Sequence, residues 1–221
     1  MENYKQALIT GYFGLIASIV VGTGEFFLHY SPNIVGHAGN YEFFKFVPND
    51  NLTIGHFLAV IGIPLYFLGY YHIYLMLKKG NKILATIVFL LGVLAFTIGG
   101  FWITSRGFLG NIVQLKDNID EVIYQNILDN YTLISESLVH GLRVIILLLS
   151  IFFIVAIAKG KSYYKKWMVI FNPIVLLICV FLIYAITPTI GKYIAPIAMN
   201  VVHFIVFSLS IYQLRLTQKN A

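Results

Sequence analysis

The sequence predicts an all-α integral membrane bundle of six transmembrane helices, with both termini cytoplasmic and a short amphipathic helix at the outer interface. Three observations lead there. The chain is 59% hydrophobic and 11% charged, with a mean hydropathy of +0.82, outside the range of ordinary soluble domains. Six stretches reach the roughly 20 mostly apolar residues that a span needs: 8–29, 54–76, 83–104, 133–157, 167–186 and 193–214. They use most of the 221 residues, so residues 1–221 read as one transmembrane domain. Third, the charges sort by end. Lys78, Lys79 and Lys82 follow span two, Lys159, Lys161, Lys165 and Lys166 follow span four, and Arg215 and Lys219 follow span six. The positive-inside rule makes those ends cytoplasmic.

The acids complete the pattern. Glu25, Glu42, Asp50, Asp117, Asp120, Glu121, Asp129 and Glu136 map to the outer side, and only Glu2 to the inner. The formal charge of +6 then reflects topology and contact with anionic headgroups, and calls for no nucleic-acid partner. Span one ends in Glu25 to His29 and lacks a small-residue cleavage site, so it reads as a retained span, not a signal peptide. Cys179 is the single cysteine, which excludes an internal disulfide and argues against a thiolate metal site.

The connections and breaks follow. The outer segment 30–53 carries Pro32, Gly36, Gly39 and Pro48 among Tyr41, Phe43, Phe44 and Phe46, as an irregular surface loop or lid would. In segment 107–132, Ile112, Leu115, Ile119, Val122, Ile123 and Leu128 recur at roughly helical spacing among acids, which predicts the interfacial helix. Pro64, Pro173 and Pro196 are expected to kink or open their helices, with Asn172 satisfying freed backbone groups. Gly22, Gly24, Gly99 and Gly100 permit close helix contact. The two three-span halves would run in opposite topology, as transporter repeats do.

Ionisable groups within spans are costly and mark functional sites by default. Glu25, His29, His56, Arg106, Glu136, His140, Arg143 and His203 all fall in the outer half or near the midplane, which predicts a shared pocket. Glu25 and His29, and Glu136 and His140, are four apart, Arg143 is three beyond His140, and Asn200 precedes His203 by three, so each set shares a helix face. A carboxylate beside an imidazole suits a general base. The same groups serve equally as ion pairs that hold the bundle together. His72 faces the cytoplasmic side and His37 lies in the loop, so neither joins the site.

Phe101-Trp102-Ile103, the run Ile123-Tyr124-Gln125-Asn126-Ile127-Leu128-Asp129-Asn130, and His140-Gly141 resemble the androgen-induced family of six-pass threonine hydrolases, which cleave fatty-acid esters of hydroxy fatty acids. The likeness covers spans two to four. It implies a nucleophilic threonine at the outer start of span two, where Leu52-Thr53 stands, and His140 as its base. Val139 departs from the asparagine that family carries before its histidine. Gly24 to His29 and Thr53 to Leu58 also resemble six-pass bacterial membrane proteins, a likeness that implies no activity and places the chain in a bacterial inner membrane.

Three functions compete. The first is an intramembrane hydrolase of a lipid-like ester entering from the outer leaflet, with Arg106 or Arg143 holding a carboxylate or oxyanion; Thr53 is equally a helix N-cap. A zinc variant would draw imidazoles from His29, His56, His140 and His203, with Glu25 or Glu136 as base. Haem is disfavoured, because His56 and His72 are separated by about 24 Å of helix rise. The remaining class is a transporter, or a small-ligand- or metal-binding membrane protein, whose outer pocket recognises a small anion or moves protons. Nearly uncharged inner span halves favour a one-sided site over a transport route.

Overall fold

The computed structural model describes residues 3–30 and 41–219. Seven α-helices appear among the described residues: α1 (Tyr4–His29), α2 (Asn49–Leu77), α3 (Lys82–Gln114), α4 (Glu121–Ala158), α5 (Pro173–Ile186), α6 (Pro188–Ile194) and α7 (Ala198–Lys219). Those residues form no strand. Five helical stretches are long and apolar enough to cross a membrane, α6 and α7 counting as one, while α5 has 14 residues. Fourteen residues rise only about 21 Å. Ile178, Phe181, Leu182 and Ile186 on α5, and Val144, Leu147 and Ile151 on α4, are exposed, as lipid-facing side chains would be.

Three local features differ from the sequence expectation. The interfacial amphipathic helix does not form as a separate element. Instead α3 runs on to Gln114, a 3₁₀ turn spans Lys116–Asn118, and α4 begins at Glu121. Asp120 caps α4 by accepting from the amides of Val122 and Ile123, so the amphipathic pattern belongs to helix extensions and not to a surface helix. Expected span 167–186 is divided. A 3₁₀ segment Lys166–Phe171 precedes Asn172, whose side chain accepts from Val175 N and caps α5, and Pro173 sits in the first turn, where its missing N–H costs nothing. Thr53 is no cap either: α2 starts four residues earlier, with Pro48 at the N-cap. Pro64 lies within the continuous α2, and Pro196 lies in the 3₁₀ turn Ala195–Ile197 that opens the chain between α6 and α7.

The tightest packing joins α1 to α2, and its cause is legible in the glycines. Gly55, Gly62 and Gly69 recur every seven residues along α2, opposite Gly24, Val21 and Gly14 of α1. A Cβ on Gly69 would lie 2.6 Å from Gly14 Cα, and one on Gly24 would lie 2.7 Å from Gly55 O. Only hydrogen atoms fit there, so the backbones touch. At the opposite end of the bundle the two lysine-bearing connections meet: Tyr163 N donates to Met76 O at 3.0 Å, and Gly80 abuts Gly160 and Ser162.

Candidate functional site: a cavity beneath a pinned loop

Close approach of α7 to α1 creates the first part of the site. Gly22 leaves room for Asn200, whose Cβ would lie 3.0 Å from a Cβ placed there. Tyr66 OH donates to Asn200 Oδ1 at 2.7 Å, which fixes the amide's orientation, and Asn200 Nδ2 then donates to Glu25 Oε2. Tyr66 is itself held by stacking on Phe96, with ring centroids 3.6 Å apart. One turn further along α7, His203 donates from Nδ1 to Met199 O at 2.8 Å, so its Nε2 accepts from Tyr70 OH at 2.7 Å. Both ring nitrogens are thereby used.

A second cluster pins the segment Tyr41–Val47 across α3 and α4. Gln114 Nε2 donates to Phe44 O at 3.1 Å and to Val47 O at 2.7 Å, and Tyr41 OH donates to Glu136 Oε1 at 2.5 Å. Arg106, 8% exposed, places its guanidinium 4.8 Å from the Tyr41 ring, 5.0 Å from Phe44 and 5.5 Å from Trp102, where cation–π attraction replaces part of its lost hydration. Its Nε donates to His29 Nε2 at 3.1 Å, and His29 Nδ1 donates to Glu25 O at 3.0 Å. Burial, followed by the bond to the Glu136 carboxylate, holds the Tyr41 phenol above its ordinary value.

Below this loop lies a cavity of about 290 Å³. Five of the long helices and α5 contribute to its walls, which are mainly apolar: Phe96, Ile146 and Phe181 among them. Its polar groups are few. Glu25 and Asn200 are on one wall, Arg143 comes from α4, and Trp102 comes from α3. The Trp102 Nε1–H is buried without a hydrogen-bond partner among the described residues. Gly99 also faces the cavity, and a Cβ there would meet nothing within 4 Å. Arg143 and Phe181 are exposed as well as cavity-lining, so the space reaches the outer surface of the bundle between α4 and α5.

The expected site residues therefore separate into groups. Glu25, Arg143 and Asn200 line the cavity, while His29, Arg106 and Glu136 form the cluster that seats the loop. His203 is buried beside Tyr70 and does not line it. His56 packs by Gly107 and Phe108 and is likewise outside it. Thr53 and His140 are both exposed, neither lines the cavity, and no hydrogen bond joins them. His140 Nδ1 donates instead to Glu136 O at 2.7 Å. The four imidazoles expected for zinc do not converge: among the described residues no three metal-ligating side chains form a group. His37 lies outside the described residues.

Sequence reasoning did not place Tyr41, Tyr66, Tyr70 or Trp102 in the site, because a search for carboxylates, imidazoles and guanidiniums passes over phenols and indoles. Tyr66 and Tyr70, four apart on α2, carried a usable signal. His72 does not line the cavity. It donates from Nδ1 to Ala7 O at 2.6 Å and accepts at Nε2 from Ser210 Oγ at 2.6 Å, and Tyr164 OH donates to the same hydroxyl at 2.6 Å.

A family model described as "Family of unknown function (DUF6796)" matches residues 1–216. The chain belongs to this family. Comparison with curated proteins gives no match, and comparison with solved structures gives none.

Proposed function

We propose that this protein is a six-pass inner-membrane protein, with both termini cytoplasmic, that binds a small lipid-like amphiphile in its outer-leaflet cavity without cleaving it. The observation that carries this is the cavity itself: apolar walls and a few placed polar groups. Small-molecule sites have this make-up, with polar groups fixing orientation and apolar surface supplying most of the binding. Its volume of about 290 Å³ is near the lower end of the usual roughly 300–1,000 Å³, which suits one chain and a small head. A lipid-like ligand would enter sideways between α4 and α5. The meeting of the two lysine-rich connections at one end supports the proposed orientation.

Ester cleavage by Thr53 and His140 has less support, since a threonine hydroxyl needs a base within hydrogen-bond reach and these two side chains are not joined. The test uses the two tryptophans, Trp102 and Trp167. In Trp167→Phe protein only the cavity tryptophan emits, and a bromine-tagged dodecanol should quench it saturably. Linear, unsaturable quenching would contradict the proposal. Labelling by a hydrolase-directed covalent probe that disappears in Thr53→Ala would restore the hydrolase reading.

A further inference from the structure

We propose that the cavity takes a lipophilic amine, its ammonium paired with the Glu25 carboxylate and its apolar body against Phe96, Ile146 and Phe181. This rests on the amphiphile reading and adds the chemical class. Glu25 is only 6% exposed, yet its side chain receives one hydrogen bond among the described residues, from Asn200. A carboxylate can accept about four. The ion pairs among the described residues are Lys45–Asp117 and Lys116–Glu42, so no cation lies within 4.0 Å of Glu25. A buried carboxyl left with one partner is costly, and the structure retains it on the wall of a cavity open to a ligand.

The surroundings are matched to an ammonium. Tyr66 holds the Asn200 amide and Asn200 holds one carboxylate oxygen, so the other is presented in a fixed place. Trp102, Phe96 and Phe181 add aromatic rings to the lining. An anionic ligand would set its negative charge against the Glu25 carboxyl and gain no pairing from it. Arg143 does not reverse this preference, because its side chain is exposed and can extend along the bundle surface to the headgroup region. A free long-chain amine and an ethanolamine-headed lipid share the required chemistry.

The experiment compares ω-bromododecylamine, ω-bromododecanol and ω-bromododecanoate as quenchers of Trp102 in Trp167→Phe protein held in phosphatidylcholine nanodiscs. The amine should half-saturate at a concentration at least about tenfold below either of the others, as expected for a charge-assisted bond. Glu25→Gln keeps an oxygen for Asn200 and should abolish that preference, while Gly99→Leu, which fills the cavity, should abolish saturable quenching by all three. Equal binding of the three, or an undiminished preference in Glu25→Gln, overturns the amine assignment and leaves the cavity reading standing. No saturable quenching by any of them overturns both. With the preference established, adding phosphatidylethanolamine separates the sources: competition identifies the headgroup amine as occupant, and its absence identifies a free amine.

Discussion

Gly69→Ala and Gly99→Ala are the same substitution in two transmembrane helices, and they should have opposite consequences. A Cβ at position 69 would lie 2.6 Å from Gly14 Cα and from Phe207 Cζ, about 0.8 Å inside the 3.4 Å at which ordinary contact begins. Backbone cannot rotate away, so α1 and α2 must separate over their closest contact. At position 99 the new methyl meets nothing within 4 Å. Both changes gain the same helix propensity, up to about 1 kcal/mol, which cancels in the comparison. The remaining difference is overpacking, typically about 1–3 kcal/mol. SDS titration of the purified protein in mixed micelles measures it. Gly69→Ala should unfold at lower SDS fraction than wild type, and Gly99→Ala at an equal or higher one. Equal stability of the two variants would refute the backbone-contact account of the α1–α2 interface.

Ser210→Ala removes the hydroxyl shared by His72 and Tyr164 and leaves buried groups unpaired, so the same titration should show a loss of about 1–3 kcal/mol. Tyr66→Phe frees the Asn200 amide; it should cost a similar about 1–3 kcal/mol and weaken amphiphile quenching of Trp102. Thr53→Ala should change stability by less than about 0.5 kcal/mol, because the residue is exposed and caps nothing. The raised Tyr41 phenol makes a pH prediction. Above its ordinary value of 10.0 the unfolded chain releases a proton that the folded state keeps, so stability should fall as pH rises through that window, and Tyr41→Phe should flatten the fall.

Much of the bundle was legible because depth and hydrophobicity are written along a single chain. The long apolar helices, the Asn172 cap and the small residues at Gly22 and Gly24 needed no partner to be recognised. Helix rotation is different, since it depends on which residues interlock between chains of side-chain contacts. The sequence placed His56, His140 and Glu25 at comparable depths, but packing turned His56 toward Phe108 and left His140 exposed, while Glu25 met Asn200. The seven-residue recurrence of Gly55, Gly62 and Gly69 was readable in principle and would have oriented α2. Likewise, the supposed interfacial helix had a true amphipathic pattern; its break fell at Lys116–Asn118 and the Asp120 cap, and no break separated it from α4.

The central claim is that the cavity lined by Glu25 and Asn200 holds an amphiphile, and native mass spectrometry of protein released gently from its own membrane tests this most directly. Wild-type protein should carry one retained amphiphile per chain, and Gly99→Leu, with the cavity filled, should carry none. A wild-type chain that emerges bare, or identical adducts on wild type and Gly99→Leu, would contradict the account.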